Sequence, residues 1–330
     1  RDQPRSRGLG DVYKRQQEIQ IKNEKIYIHD KFARIICYDM QGKMIFKIDA
    51  KGAGPGEYTD VNTFVINEQS RELIIYDNHK QSLLFYNADN GIFFKTQKLV
   101  KPDPTAMASL GGVYYYDNRY HSNYPNDTDL YYSLLVSKNA MTMDRHYFPH
   151  NDAESSYRFR PTRQPFSYND SVLYYCRNFD NVIYELNPDS LKALYKIMLP
   201  DPLPFSKIEN KINGWELVKS KYSLGLESIY KCNNLLYFQF SKDGFLQSAL
   251  YDLIQEKQIY CGKRLTDKVG KSVPIFQLID GVYKGQFWGV LTPETIGYAL
   301  SKEPKDYPDI FRKYDPDTDN PIIAFYKVVQ

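Results

Sequence analysis

The residues with the clearest chemical potential in this chain are glycines. Gly52, Gly54 and Gly56, with Pro55, Glu57 and Tyr58, lie in "KIDAKGAGPGEYTDVNTFVI" between two apolar, β-branched runs. A glycine loop cradles phosphate when its amides, or the N-terminus of a following helix, point at the anion. These glycines do not form GxGxxG, and "TDVNTFVI" alternates as a strand does. The stretch is therefore read as a structural joint between β-units, stiffened by Pro55 and anchored by Tyr58. Dinucleotide chemistry is set aside.

Other motifs fail on spacing. "VGKSVP" ends like a P-loop, but the first glycine of that motif would fall at Leu265. "YDPDTDN" supplies Asp315, Asp317 and Asp319, yet an EF-hand would need glycine at Asn320 and glutamate at Tyr326. "HYFPH" sets His146 and His150 four apart, but Pro149 breaks the helix that would align them. His29, His79 and His121 are scattered, which argues against zinc and Ser-His catalysis. No metal site, cofactor or catalytic residue is expected.

The stretch most like a binding site is "SYRFRPTRQPF". Arg158, Arg160 and Arg163 fall in a long connection, and their guanidinium forks suit a carboxylate or a sugar acid. The alternative is that they line a solvent face or pair with neighbouring acids. Trp215 is assigned to a short helical insertion that caps the fold rather than stacks a ligand.

Charge narrows the partners. The opening "RDQPRSRGLGDVYKRQ" ends in "DVYKRQ", which looks like a translated transposon end from library preparation. Residues 1–16 are read as a disordered scar and excluded from fold reasoning. They carry five basic and two acidic residues, so the whole +3 excess lies there and the remainder is balanced. No basic surplus is left for nucleic acid. No apolar run reaches the length of a membrane span. Cys37, Cys176, Cys232 and Cys261 lack CxxC spacing. Cys37 and Cys176 are expected as buried thiols; whether Cys232 and Cys261 pair is left open.

The elements that position these residues are repeats. "IYIHD", "LIIYD", "VYYYD", "VLYYC", "LLYFQ" and "VYKGQ" begin at Ile26, Leu73, Val113, Val172, Leu235 and Val282. Their spacing suits four-stranded propeller blades with loop insertions. "IICYDMQGKMIFKI", "LLFYNADNGIFFKT", "VIYELNPDSLKALYKI" and "ALYDLIQEKQIYCG" read as outer hairpins, with Tyr38, Tyr86, Tyr184 and Tyr251 in matching places. "LYYSLLVS" and "TIGYALS" fit less well as the third and sixth copies. The tyrosines (30 in all) suit packing between sheets. Residues 17–330 are thus expected to form one all-β domain, a six-bladed β-propeller with helical insertions near 204–228 and 307–314.

"IYIHDKFARIICYDMQGKMIFKIDAKGAGPGEY", "PFSYNDSVLYYCRNFDNVIYEL" and "DNPIIAFYKV" together resemble the six-bladed β-propeller proteins of Bacteroides-type bacteria, with blades similar to NHL-type repeats. The resemblance spans 25–328. It implies a secreted, often lipid-anchored, cell-envelope protein, periplasmic or held at the outer membrane, in a family largely without an assigned reaction. The first strands expected before Lys25 are read as absent from the pattern, which would leave "PIIAFYKVV" short of part of its partner. The expected function is a monomeric, non-catalytic binding module or scaffold that meets a protein or glycan through one loop-rich face. The rival is a lactonase-like hydrolase or lyase with a metal-assisted site at the channel mouth.

Overall fold

The computed structural model describes residues 18–118, 127–150, 162, 164–169, 171–209, 214–263, 265–266, 276–277, 279–301, 311, 313–315 and 320–328. By internal contacts the chain divides into two compact units, 1–155 and 156–330. The six principal antiparallel sheets are those of a six-bladed β-propeller.

Unit 1 holds three sheets, each with its strands adjacent in chain order. The first is β1 (Glu18–Lys22), β2 (Lys25–His29), β3 (Ile35–Asp39) and β4 (Met44–Ile48). The second is β5 (Thr63–Asn67), β6 (Glu72–Asp77), β7 (Ser82–Asn87) and β8 (Phe93–Lys98). The third is β9 (Pro104–Leu110), β10 (Val113–Asn118), β11 (Tyr132–Ser137) and β12 (Arg145–Pro149), with helix α1 (Thr128–Tyr131) before β11.

Unit 2 repeats the plan. β13 (Phe166–Asn169), β14 (Val172–Cys176), β15 (Val182–Asn187) and β16 (Ser190–Lys196) form the fourth sheet. Helices α2 (Phe205–Glu209) and α3 (Gly214–Val218) follow. The fifth sheet is β17 (Leu226–Cys232), β18 (Leu235–Lys242), β19 (Phe245–Asp252) and β20 (Lys257–Gly262). A short ribbon, β21 (Leu265–Thr266) with β22 (Phe276–Gln277), precedes β23 (Gly281–Tyr283) and β24 (Gln286–Leu291). Helix α4 (Pro293–Leu300) separates β24 from β25 (Ile322–Tyr326), the third strand of the sixth sheet.

Alternation explains why these runs become buried sheets. In the second sheet Phe64, Ile66, Leu73, Ile75, Leu84 and Tyr86 join Tyr27, Ile35 and Phe46 of the first sheet in one core cluster. The intervening Val65, Ile74, Tyr76, Leu83 and Phe85 pack with Tyr114, Tyr116 and Leu135 of the third. Period-two side chains thus bury both faces of one sheet. Tyrosine serves where a ring must be covered and its hydroxyl must still find an acceptor. Tyr27 donates to the Ala88 carbonyl at 2.9 Å and Tyr116 to that of Ala140 at 2.8 Å.

The matching tyrosines mark a shared irregularity. The pairing register shifts between Cys37 and Tyr38, Phe85 and Tyr86, Ile183 and Tyr184, and Leu250 and Tyr251. Each is a bulge in the outer hairpin, which twists the last strand away from its neighbour.

Four expectations need correcting. β1 lies before Lys25 and pairs with β2 from Glu18 opposite His29 to Lys22 opposite Lys25, so the first sheet has all four strands. "VYKGQ" is out of phase by one strand: Val282 and Tyr283 end β23, and Lys284 and Gly285 turn into β24. "TIGYALS" belongs to α4 rather than a strand, because Thr292 caps it, Pro293 opens it and Glu294 sits in its first turn. The helical insertion after Pro204 ends at Val218, and β17 begins at Leu226. Of the four cysteines, Cys37, Cys176 and Cys232 are buried, Cys261 is exposed, and none forms a disulfide. Burial pushes the Cys37 thiol up to about 12, so it stays protonated.

Candidate functional site

In a four-stranded meander the first-to-second and third-to-fourth turns share one end of the sheet. The second-to-third turn and the exit to the next sheet share the other. Here the first end carries tight turns, such as Asn23-Glu24 and Gly111-Gly112. The second end carries the long connections, 49–62 between β4 and β5 and 197–225 between β16 and β17. Variable chemistry collects on such connections.

The glycine stretch lies in the first of these. The Gly54 amide donates to Glu57 Oε2 at 2.6 Å, and Gly52 N donates to the Tyr58 carbonyl at 2.9 Å. A Cβ at Gly52 would stand 2.1 Å from Glu57 Oε2, so the carboxylate occupies the hollow that only a glycine leaves open. The anion of this loop is its own glutamate. Tyr58 donates to the Ile48 carbonyl at 3.3 Å, Tyr86 to that of Gly56 at 2.7 Å, and Lys80 Nζ to that of Glu57 at 2.7 Å. Gly56 adopts φ +75° against the Phe93 ring, and the chain past Pro55 runs into strand β5.

A second polar set was not legible in the sequence. Glu18 opens β1 opposite His29. Its carboxyl accepts from Gln20 Nε2 at 3.0 Å, from Thr63 Oγ1 at 3.4 Å and from the Phe64 amide at 3.3 Å. Gln20 also donates to the Phe64 carbonyl at 2.7 Å and accepts from the Ile66 amide at 3.4 Å. Two side chains of β1 therefore satisfy the backbone edge of β5, which no strand covers. Burial pushes the Glu18 carboxyl up to about 7, against the pull of those hydrogen bonds. Burial lowers the His29 imidazole, opposed by Asp60 and Asp30, so the ring is neutral at pH 7. Glu18 and His29 are neighbours by backbone register, and a carboxyl held near neutrality can gain or lose a proton there. The only signal for it is Glu and Gln alternating in "EIQIK", which gives no hint of the partner strand 44 residues on.

Other carboxylates among the described residues close turns or make ion pairs. Asp30 accepts from the amides of Phe32 and Arg34 and from Arg34 Nε at 2.7 Å. Against the cost of burial, these bonds hold it below the usual carboxylate range. Asp252 accepts from the amides of Ile254 and Gln255, each at 2.9 Å. His146 Nε2 lies 2.7 Å from Asp129 Oδ1, with Tyr132 edge-on to its ring. Among the described residues no three His, Cys, Asp or Glu side chains are grouped to hold a metal. Among them, too, no helix is long and apolar enough to cross a membrane. Arg158, Arg160 and Arg163 lie outside the described residues, as do Asp317 and Asp319.

Residues 13–327 match a single family model, a domain of unknown function designated DUF4934. The chain belongs to this family. No curated protein matches the sequence. Among solved structures it is similar to a Bacteroides fragilis NCTC 9343 protein designated as exported. The two share 15% identity at a TM-score of 0.76, over 94% of this chain and 90% of the other. It is also similar to a DUF4221 family member from Bacteroides vulgatus ATCC 8482, with 10% identity, a TM-score of 0.51 and coverage of 94% and 91%. At these identities the likeness is one of fold.

Proposed function

We propose that this DUF4934 chain is a non-catalytic binding module or scaffold of the cell envelope. It engages a protein or glycan through the long-connection end of its sheets. The observation that carries this reading is the use made of polar groups at that end. Glu57 fills its own glycine loop, Asp30 and Asp77 close turns, and Glu18 covers the edge of β5. Groups so engaged hold a surface in shape, whereas catalysis needs groups left aimed at a substrate. The similarity to a protein designated as exported supports a periplasmic or outer-membrane-anchored location. In this reading the protein is monomeric, and Arg158, Arg160 and Arg163 contribute ligand contacts.

The test is site-specific photo-crosslinking in native cells. Exposed Phe32, in the turn before β3, and Phe205, in the connection before β17, both at the long-connection end of their sheets, are compared with exposed Ile92 and Ile254 at the tight-turn end. Crosslinks from the first pair and not the second support the proposal; the reverse pattern overturns it. The second reading, a hydrolase or lyase, is favoured by Glu18 and His29 alone. It predicts turnover of lactone or uronate substrates that Glu18→Gln abolishes, or a stoichiometric metal ion held by three or more side chains. Either result would displace the scaffold.

A further inference from the structure

β8, FFKTQK, is the last strand of the second sheet, and among the described residues no strand pairs with its outer side. Its ladder to β7 runs from Phe85 opposite Lys95 to Ser82 opposite Lys98, and the Leu99 amide continues it to the Gln81 carbonyl at 2.8 Å. In an antiparallel pair successive residues turn their backbone groups alternately toward and away from the partner. Leu99, Gln97 and Lys95 therefore turn theirs to β7, and Lys98 and Thr96 turn theirs outward. Such a row is a template for another strand. The sheet behind it is firm, since β5 and β7 are buried along nearly their whole lengths.

Other outer strands differ. β4 leads straight into the glycine connection, where Tyr58 donates to the Ile48 carbonyl, and its Lys47 lies 3.1 Å from Asp49. β12 carries Phe148 at φ +60° and ends in Pro149. In unit 2, β16 and β20 each set a lysine opposite an acid of their own sheet, Lys192 facing Glu185 and Lys257 facing Asp252. Among the described residues neither lysine of β8 meets an acid. Lys95 lies 4.1 Å from the centre of the Phe85 ring and beside Phe94, and Lys98 Nζ donates to the Lys80 carbonyl at 2.8 Å. Phe94 and, just past the strand, Val100 are 48% and 56% exposed.

Edge lysines are a common guard against self-pairing, and they act as one here. Two copies joined along β8 would bring four lysines into one seam with no acid between them. The same charge that repels a second copy attracts a strand of opposite sign. A guard also needs no exposed apolar side chains beside it, whereas a docked strand would cover Phe94 and Val100. Lys95 and Lys98 are three apart and so lie on opposite faces of the strand. Acids that match them would stand three apart as well, one on each face.

We propose that β8 is a second docking surface, to which an extended acidic segment of a partner protein adds as a further strand. Backbone hydrogen bonds supply the affinity, and Lys95 with Lys98 selects the partner. The inference does not depend on the long-connection reading, since the contact runs along a strand; in the crosslinking test a product from Ile92 without one from Ile254 marks this edge rather than the tight-turn end. The probe is a capped peptide of about eight residues, alternating valine and threonine with two glutamates three apart, titrated into the purified protein by fluorescence anisotropy. A second peptide carries lysines in place of the glutamates, and a third a central proline. The protein variants are Lys95→Glu with Lys98→Glu, a control with the exposed Lys31→Glu and Lys51→Glu, and Thr96→Pro, which removes an outward amide and none of the ladder to β7.

The glutamate peptide should bind the parent, more tightly at low salt. It should weaken roughly tenfold or more against the Lys95 and Lys98 double variant and against Thr96→Pro, and little against the control. The lysine peptide should bind only the double variant. Where Thr96→Pro lowers the melting temperature by more than a few degrees, the exchange of charge on both sides decides alone. Absence of glutamate-peptide binding, equal binding of the proline peptide, or equal loss in the control overturns the proposal. So does a dimer of the parent that Thr96→Pro dissolves, because β8 then serves a second copy.

Discussion

Asp39 and Asp77 are the same residue type in the same kind of turn, at opposite ends of their sheets. Asp39, at the tight-turn end, accepts from the amides of Gln41 and Lys43, each at 2.9 Å. Asp77, at the long-connection end, accepts from His79 and Lys80, each at 3.0 Å, and its other oxygen accepts from the Thr59 amide at 2.6 Å. The first turn is closed by its own five residues. The second also fastens a loop 18 residues away in sequence. Tight turns repeat because local chemistry suffices to make them, whereas each long connection is tied down by a different distant partner.

Glycines give the sharpest way to break this comparison. Gly42, at the tight-turn end, has φ +81° with open space where a Cβ would stand. Gly225, in the long connection before β17, has φ +102°, and its Cβ would meet the Asp180 backbone N and O at 2.8 Å. Gly42→Ala should cost about 1 kcal/mol for the conformation alone. Gly225→Ala should cost about 3 kcal/mol or more, because backbone must move as well. Chemical unfolding of both variants checks the ordering; equal losses would mean that the long connection yields as readily as a free turn.

The aspartates come next. Asp39→Ala should lose about 1 kcal/mol, the worth of a local turn acceptor. Asp77→Ala removes a fully buried carboxylate that also holds the Thr59 amide, and should lose about 2–3 kcal/mol. If Asp77→Ala matches Asp39→Ala in denaturant midpoint, Thr59 has found water and the distant tie contributes nothing.

The same contrast decides what the sequence made visible. Tyr38, Tyr86, Tyr184 and Tyr251 were found as repeats because each precedes a local polar turn, though that they border a bulge was not. "VYKGQ" misled because a Val-Tyr pair before Lys-Gly looks alike on a first or a second strand. The helix over "PETIGYAL" was readable from Thr292, Pro293 and Glu294, but an aromatic residue in a presumed sixth copy drew it toward strand. Gln20 and Glu18 were silent, since their partners on β5 are set only when two sheets meet.

Glu18 offers a pH test of that meeting. Its pKa rises from 4.5 to about 7 on folding. Below about pH 4.5 both folded and unfolded chains hold the proton, and its contribution is intact. As pH rises toward 7 the unfolded carboxyl ionises freely while the folded one resists, so stability is lost across that window. Glu18→Gln is neutral throughout and should escape the loss. The two proteins should melt together near pH 4.5 and separate toward pH 8, the variant being the more stable by about 1–2 kcal/mol. A gap that stays constant with pH would mean Glu18 is solvated and does not guard the β5 edge.

The smallest effect sharpens the comparison most, because it changes a single hydroxyl. Tyr27 donates to Ala88 in the tight turn of the second sheet, and Tyr86 donates to Gly56 in the long connection. Burial raises both phenols well above their ordinary value, so neither ionises at physiological pH. Removing either oxygen as Phe keeps the ring and should cost about 1 kcal/mol. The two should differ in where the loss appears. The Ala88 amide still donates to the Arg71 carbonyl at 2.9 Å, so Tyr27→Phe should leave that turn protected from hydrogen exchange. The Gly56 carbonyl belongs to a loop held by separate ties, so Tyr86→Phe should speed exchange across 52–58 beyond the global loss. Equal exchange profiles in the two variants would show that the glycine connection is as self-sufficient as a tight turn, and the distinction between the two ends would fall.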